Sequence, residues 1–405
     1  MHFFPILATL RRHRTTALLI VLEIALTCAI VCNALFLIGD RLDRMDRPSG
    51  LVEDEVLRIR LTGIGTKADA MAVTTQDLSA LRAIPGVKFV AVTNMVPFGG
   101  SSWNSDISTL PDDPNGTSTG LYMGSQDLVE TLGVQLIAGR DFTPEEYVDD
   151  ARGTAVVPSV IVTRTVADQL YPGKSAVGQK VYVTGKEPQT IVGVIDLIAR
   201  PNEGGGGRHV NAAGFSVILP ILVPFSRGGN YLLRVEPSRR ADVLTAVDAV
   251  LNKVDPNRII LDRQTFEEVR KDHFKTDRAM AYLLTGVSLA LLIITAFGVV
   301  GLASFWVRQR TRQIGVRRAL GATRGDILHY FQLENFILTT AGIVVGMALA
   351  YAINLWLMQK YEVPRLSAVF LPAGALLLWL LGQVAVLGPA LRASAIPPAI
   401  ATRTV

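Results

Sequence analysis

The chain has 405 residues, of which 49% are hydrophobic and 19% charged, and its formal net charge is +5. So apolar a composition excludes a protein made only of ordinary soluble domains. The modest positive charge comes largely from arginines that favour membrane lipid at the inner leaflet, and it gives no reason to expect a nucleic-acid partner.

Four apolar stretches are each long enough to cross a membrane. A bilayer core about 30 Å thick needs about 20 helical residues, and each stretch meets this length with almost no charge inside it. We predict transmembrane helices at residues 16–38, 280–307, 336–357 and 368–391.

The first stretch follows Arg11, Arg12 and Arg14, so it can also be interpreted as a cleavable signal peptide. It is longer than the roughly 7–15 apolar residues of a typical signal peptide, and residues 33–35 offer no convincing cleavage site. We therefore favour a retained anchor within residues 1–40.

The positions of arginine predict how the chain is oriented. Arginines in short segments mark the cytoplasmic side of a membrane, and they cluster in the N-terminal tail, in residues 308–330 and in the C-terminal tail. Both termini and residues 308–330 are therefore predicted to lie in the cytoplasm. Residues 41–279 are predicted to form a domain on the outer side.

The predicted outer domain contains two strand–helix–strand units, at residues 55–93 and 230–261. In the first unit, alternating apolar and basic residues indicate a strand, and Thr74 with Asp77 three residues later predicts a helix N-terminus. Two such units are typical of a split layer of helices on a sheet, which makes the fold class of this domain α+β.

The stretch between the two units, residues 95–228, is predicted to be an inserted second lobe. Its strand patterns lie at residues 156–162, 181–184 and 190–195. Glycines at positions 204–207 predict a flexible hinge. Residues 264–279 are predicted to form one polar helix that runs directly into the second span.

A search for reactive groups finds no catalytic constellation and no metal site. The five histidines are scattered, without the spacing of metal ligands. Gly173, Lys174 and Ser175 resemble the end of a phosphate-binding loop, but Asp168 stands where that loop needs glycine.

Two carboxylates and two glycines stand out inside the predicted spans. Glu23 lies midway along the first span and Glu334 at the mouth of the third, and buried charge in lipid is costly. Because an ion relay needs several such groups at one cavity, we favour hydrogen-bonded packing for both. Gly342 and Gly346 form a GxxxG face that permits close helix contact.

Residues 308–330, called the arginine-rich segment below, are the most informative stretch. Apolar residues, among them Ile314 and Leu320, alternate with arginines, and Gly321 interrupts the pattern. The segment is predicted either to lie on the membrane surface as an amphipathic helix or to dock a cytoplasmic partner.

Several stretches resemble the MacB/FtsX family of ABC transporter permeases. Gln313 to Arg324 resembles the family's EIGIRRALGAS element, with Gln313 where Glu is common. Residues 132–142 resemble ETLGIPLLAGRDF, and residues 161–181 resemble LWPGEDPIGKR. Residues 389–399 resemble the closing PARRAARIDPVEAL, so the resemblance covers essentially the whole chain.

The resemblance implies a membrane α-helical protein with four transmembrane helices and an extracytoplasmic α+β domain. Residues 51–94 and 229–265 would form a porter-like lobe, and residues 95–228 a sabre-like lobe. Residues 264–279 would form a stalk. Residues 280–405 would form an FtsX-like domain that holds the other three spans.

The resemblance also implies a dimeric permease of the bacterial inner membrane, with an identical or related second permease chain. Without a fused ATPase, it would need two copies of a separate ABC ATPase, which would bind ATP and Mg, so no cofactor is expected in this chain. A periplasmic adaptor and an outer-membrane duct are further partners of the MacB type. The implied ATPase-coupling residues are Arg312, Ile314, Gly315, Arg317, Arg318, Leu320, Gly321, Ala322, Thr323, Arg324 and Ile327.

Efflux or export driven by ATP hydrolysis, transmitted mechanically to the outer domain, is the function that the resemblance implies. A regulator of periplasmic hydrolases, or a protein that extracts lipoproteins, is an alternative within the same family. A membrane receptor that signals through the arginine-rich segment is an alternative from another class.

Overall fold

The structure is a computed structural model that describes residues 14–63, 69–149, 156–183, 185–201, 214–224, 229–361 and 365–396. Arg11, Arg12, Arg403 and residues 204–207, on which some sequence predictions rest, lie outside the described residues. The chain divides into two compact units. One unit is Arg47–Lys275, and the other comprises the segments before and after it.

Ten α-helices and thirteen strands are assigned in the described residues. The helices are α1 Arg14–Met45, α2 Ala70–Arg82, α3 Leu128–Leu132, α4 Arg164–Leu170, α5 Arg240–Val254, α6 Phe266–His273, α7 Lys275–Gln309, α8 Thr311–Ala319, α9 Arg324–Tyr361 and α10 Phe370–Ser394. The strands are β1 Val56–Gly63, β2 Val87–Thr93, β3 Asn104–Ile107, β4 Thr117–Met123, β5 Leu136–Gly139, β6 Val148–Asp149, β7 Ser159–Thr163, β8 Lys180–Val181, β9 Gln189–Ile195, β10 Ser216–Leu219, β11 Ile221–Leu222, β12 Asn230–Val235 and β13 Arg258–Thr265.

Helices α1, α7, α9 and α10 are long and apolar enough to cross a membrane, judged by length and composition. Each of these helices covers one predicted span nearly or completely, and most continue past its ends. The largest difference is at α9, which begins at Arg324 and therefore includes residues that the sequence pattern assigned to the preceding loop.

Glycines allow α1 to approach α9 and α10 closely. A Cβ atom at position 346 would lie 2.5 Å from the Cβ atom of Cys28 and 2.6 Å from the carbonyl oxygen of Ala25. A Cβ atom at Gly342 would lie 2.8 Å from Ile24, and one at Gly374 of α10 would meet the sulfur of Cys32. The backbones of these helices can touch only because a side chain is missing at each point.

The other unit contains a four-stranded antiparallel sheet with the strand order β13-β1-β12-β2. Helices α2 and α5 bury Leu81, Val243, Val247 and Leu251 against this sheet. This strand order, with one helix inside each half, confirms the predicted split strand–helix–strand layer.

A buried ion pair joins α2 to β13 in this layer. Arg258 donates to Asp77 at 2.8 Å, and the Tyr231 hydroxyl donates to the same carboxylate oxygen at 2.9 Å. Burial raises the pKa of Asp77, and the hydrogen bonds from Arg258 and Tyr231 act in the opposite direction. Removing one partner would leave a buried charge without compensation.

Two local predictions in this unit are wrong. The N-cap of α2 is Asp69, whose side chain accepts from the Ala72 N–H, while Thr74 lies inside the helix and donates to the Ala70 carbonyl oxygen. The polar helix predicted for residues 264–279 is interrupted, because Gln264 and Thr265 belong to β13 and α6 ends before Phe274.

A second sheet of seven strands has the order β3-β4-β10-β7-β9-β5, with β8 paired to β9. The strands predicted at residues 156–162, 181–184 and 190–195 correspond to β7, β8 and β9. Their inward side chains, including Val160, Val162 and Ile191, form a separate apolar core. The described part of the inserted stretch therefore has a core of its own.

Candidate functional site

The arginine-rich segment folds into helix α8, a tight turn and the first part of α9. At the end of α8, Ala322 N–H donates to the Arg317 carbonyl oxygen and Gly321 N–H to that of Arg318, both at 3.1 Å. This pattern needs a residue with positive φ, and Gly321 has a φ of +100°. Glycine at this position therefore lets the chain reverse without strain.

A reciprocal cap begins helix α9. The Thr323 hydroxyl accepts from the Asp326 N–H at 3.2 Å, and the Asp326 carboxylate accepts from the Thr323 N–H at 2.9 Å. These two bonds satisfy backbone donors that the first turn of a helix leaves without partners. The turn between α8 and α9 is thus specified on both sides by local hydrogen bonds.

The inner face of this helical turn is apolar and buried. Ile314 of α8 and Ile327 of α9 pack with Phe331, and Ala390 and Ala393 of α10 complete the cluster. Arg318 also joins α8 to α10, since it donates to the carbonyl oxygens of Ser394 at 3.1 Å and Ile396 at 2.6 Å. The segment is therefore attached to the helical bundle.

A buried ion pair holds the end of α7 to α9. Arg310 follows α7 directly and donates to both carboxylate oxygens of Glu334, at 3.0 and 2.9 Å. Both side chains are buried, and the Arg310 guanidinium carbon lies 5.3 Å from the Trp306 ring centroid. Both bonds come from one guanidinium nitrogen, Nη1, and this charge-assisted contact holds the end of α7 next to α9.

The outer face of the turn exposes apolar side chains among arginines. Leu320 is 83% exposed and Val316 is 44% exposed. Arg312, Arg317 and Arg324 are also exposed. The Arg317 guanidinium lies 4.7 Å from the ring centroid of Tyr330. The result is a positively charged surface with an apolar side chain at its tip.

The structure separates the eleven predicted coupling residues by exposure. Ile314, Gly315 and Ile327 are buried. Arg318 and Ala322 are half-buried. The exposed members are Arg312, Arg317, Leu320, Gly321, Thr323 and Arg324. A partner protein at this surface could contact the six exposed residues. The buried residues could contribute to coupling only by holding the turn in place.

The four residues singled out in the spans have different surroundings. Glu334 is paired with Arg310 as described, and Gly342 and Gly346 contact α1. The Glu23 carboxylate lies against Gly298 of α7, where a Cβ atom would overlap it. The structure does not bring Glu23 and Glu334 together with further acidic groups, since the described residues contain no cluster of three His, Cys, Asp or Glu side chains suited to a metal ion.

Sequence reasoning missed several residues that shape this site. In the sequence, nothing distinguishes Arg310 from the other arginines of the segment. Its pairing with Glu334, 24 positions away, leaves no signal in a single sequence. Asp326 was detectable, because a threonine followed three residues later by an acidic residue is the pattern of a helix cap. Trp306 and Tyr330, which lie beside Arg310 and Arg317, had no pattern to identify them.

The structure thus combines four candidate membrane spans, a large α+β unit and an exposed basic helical turn. Two family models match the chain. The MacB-like periplasmic core domain matches residues 17–253, and the FtsX-like permease C-terminal domain matches residues 285–398. The chain belongs to this MacB-like and FtsX-like family of ABC transporter permeases.

The chain is similar to a protein of Chromobacterium violaceum called macrolide export ATP-binding/permease protein MacB, at 27% identity. That similarity covers 56% of this chain and 34% of the relative, so the chain spans about a third of the length of the MacB relatives that it matches. The uncharacterized ABC transporter permease YknZ of Bacillus subtilis is 25% identical, over 69% of this chain and 65% of that protein. A crystal structure of the extracellular domain of a YknZ transporter from Gram-positive bacteria aligns at 15% identity with a TM-score of 0.32, covering 51% of this chain and 100% of that one.

Proposed function

We propose that this chain is a permease subunit in which ATP hydrolysis by a separate protein drives movement of the outer domain, and that this movement exports a substrate. The complex would contain two permease chains, identical or related, and two copies of an ABC ATPase that binds ATP and Mg. It would lie in the bacterial inner membrane with both termini and the arginine-rich segment in the cytoplasm. Membership of the permease family supports this proposal.

The observation that carries the proposal is the exposure of Leu320 at the tip of a fixed turn. Burial of a leucine side chain stabilises a complex by about 1.5–3 kcal/mol. The surrounding arginines would select a partner surface that has an apolar pocket with acidic residues at its edge. A membrane-surface helix would instead need a continuous apolar face, but Ile314 and Ile327 are already buried within the bundle.

The contacts behind the turn support transmission of force. A displacement of Leu320 must move α8, since the turn is closed by its own hydrogen bonds. Helix α8 follows α7 after Arg310, which is bound to Glu334. In the proposed cycle, displacement of the turn therefore shifts α7, and the outer domain is attached to the other end of that helix by the chain itself.

We propose efflux or export as the outcome. The MacB relatives carry the name of macrolide export proteins, and the outer domain matches the MacB-like periplasmic core. A periplasmic adaptor and an outer-membrane duct would complete the pathway in a bacterium with two membranes. The porter-like and sabre-like lobes would be the four-stranded and seven-stranded sheets with their helices.

The test is co-purification of the native complex from its host, followed by mass spectrometry and an assay of ATP hydrolysis. An ABC ATPase in a stoichiometric amount is expected with the wild-type chain. Leu320→Asp and Arg324→Glu should each weaken its binding at least tenfold, about 1.4 kcal/mol, and a double variant of Gly321 and Arg324 to glutamate should abolish coupling.

Arg392→Glu is the matched control, because Arg392 is an exposed arginine at the end of α10 and outside the arginine-rich segment. This variant should bind the ATPase as the wild type does. Absence of any ATPase from the native complex would contradict the proposal and favour a receptor. Unchanged ATP-dependent activity in the Gly321 and Arg324 variant would refute the role of the turn.

A further inference from the structure

The connection between the two sheets of the outer domain is tied to helix α6 by one aromatic side chain. The chain leaves the four-stranded sheet at Thr93 and enters the seven-stranded sheet at Asn104. Within this connection, Phe98 is 4% exposed and has a φ of +60°. A bulky residue rarely adopts positive φ, and such outliers persist where the surroundings hold them.

The ring of Phe98 packs on three aromatic residues of α6 and its end. The ring centroids of Phe274, His273 and Phe266 lie at 5.2, 5.4 and 6.2 Å from that of Phe98. The guanidinium carbon of Arg270 lies 5.0 Å from the Phe98 centroid, within the range of a cation–π contact. The unusual backbone at Phe98 thus places its ring against α6.

Arg270 also binds the chain segment that follows α1. It donates to the Glu53 carboxylate at 2.6 Å and to the Arg47 carbonyl oxygen. Three separate parts of the chain therefore meet at one guanidinium: residues 47–53, the connection at Phe98, and helix α6. Two of these parts lead directly to the long helices α1 and α7.

Helix α6 is itself fixed to the four-stranded sheet. Thr265 and Glu268 form a reciprocal cap at its start, and Gln264 of β13 donates to Asp272 at 2.6 Å. Directly after β2, the start of the connection is also bound to the seven-stranded sheet at Asn94. The Asn94 side chain donates to the Leu121 carbonyl oxygen and accepts from the Met123 N–H, both at 2.9 Å, on strand β4.

We propose that Phe98 and Arg270 are positioning residues that fix the seven-stranded sheet relative to α6. A displacement of α6 passes to the Phe98 ring through their aromatic contacts, and then along residues 94–98 to β4, to which Asn94 is hydrogen-bonded. The use of this joint in transport rests on the proposed function. The joint itself is a property of the outer domain.

The test measures a distance between the two sheets in the full chain, reconstituted in lipid nanodiscs. Cys28 and Cys32 are replaced by alanine, and spin labels are placed on cysteines at the exposed positions Asp242 and Lys174. Electron–electron double resonance then gives the distribution of distances between α5 and the seven-stranded lobe. Dilution with unlabelled protein restricts the signal to pairs within one chain.

Phe98→Gly removes the ring but accepts the positive φ, so it should roughly double the width of the distance distribution. Arg270→Ala should broaden it similarly. Arg240→Ala is the matched control, since half-buried Arg240 forms a different ion pair with α6, to Glu267 at 3.1 Å. It should leave the distribution unchanged. Equal widths in the wild type, Phe98→Gly and Arg270→Ala would overturn the proposal.

Two further measurements separate this joint from a general loss of stability. Phe98→Leu keeps apolar contact with α6 but loses the ring, and it should broaden the distribution to a smaller degree. In the complex with the co-purified ATPase, Phe98→Gly should retain ATP hydrolysis but lose the nucleotide-dependent shift of the distance. If the wild-type distance does not shift with nucleotide, the proposed function fails, while the comparison of widths still decides whether the joint exists.

Discussion

Helices α1 and α7 are both candidate spans, but they differ in how much of their surface packs against other helices. Helix α1 buries a continuous series of side chains, from Ile20 through Cys28 to Phe36, against α9 and α10. On α7, Trp306 is the buried member of that cluster, and Gly286 and Gly301 have open space around them. Large apolar side chains exposed on α7 include Tyr282, Leu283, Leu289, Ile293, Ile294, Phe297 and Phe305.

A few polar contacts connect α7 to the rest of its unit. Arg41 of α1 forms an ion pair with Asp277 near one end, and Arg310 binds Glu334 beyond the other. Between them, the hydroxyls of Thr27 and Thr295 are 2.8 Å apart. In the proposed cycle, α7 is therefore the helix that shifts while α1 stays in place. With 35 residues, α7 is about 52 Å long, which exceeds the roughly 30 Å of a bilayer core.

The largest expected effect comes from breaking the ion pair at the end of α7. Arg310→Ala removes the ion pair from the buried Glu334 carboxylate, which should destabilise the helical unit by about 3–5 kcal/mol. The loss of stability is measured by thermal unfolding in detergent, with the decrease of the monodisperse size-exclusion peak as the signal. Arg308→Ala, an exposed arginine two positions earlier, is the control. Equal stability of the two variants would show that the pair does not hold α7.

A glycine comparison tests the contrast between the helices directly. Gly346→Val forces a side chain into Cys28 and the Ala25 carbonyl oxygen, and should destabilise the packing of α1 and α9 by about 3 kcal/mol. The same substitution at Gly301 of α7 meets open space and should change stability little. The two are compared by the same unfolding assay. A Gly301→Val variant as unstable as Gly346→Val would mean that α7 is packed as tightly as α1.

The smallest expected effect is at the middle of α7. Thr295→Val removes the hydrogen bond to Thr27 and should destabilise the helical unit by about 0.6 kcal/mol. Thr285→Val is a matched control on the same helix, because the Thr285 hydroxyl donates to the Ala281 carbonyl oxygen of its own helix. A chemical unfolding series in mixed micelles can resolve the difference. If Thr285→Val lowers the free energy of unfolding as much as Thr295→Val does, the hydrogen bond between Thr27 and Thr295 adds no stability of its own.

The sequence was most informative where a signal repeats over many residues. Long apolar stretches identified the segments around α1, α7, α9 and α10, and period-two alternation identified β1. The split strand–helix–strand layer followed from two such local patterns. The strand order, with β13 beside β1, pairs strands from different halves, and no local pattern in the sequence marks this pairing.

The sequence was least informative where the environment of a side chain depends on contacts with residues far away in the chain. It did not indicate that Ile314 is buried and Leu320 exposed, because both lie among arginines and only the packing of α10 distinguishes them. The choice of Asp69 over Thr74 as the cap of α2 depends on the first residues of the helix, which no apolar periodicity marks. The break between α6 and α7 lies at Phe274, whose ring contacts that of Phe98, far away in the chain.

The most direct test of transmission through α7 uses the permease–ATPase complex in nanodiscs with a single spin label at position 174 of each permease chain. The distance between the two labels is measured with ADP and again with nucleotide trapped by vanadate. We predict a shift on trapping in the wild-type complex, and no shift when Leu320 is replaced by aspartate. Continued ATP hydrolysis with an unchanged distance in the wild-type complex would contradict this prediction.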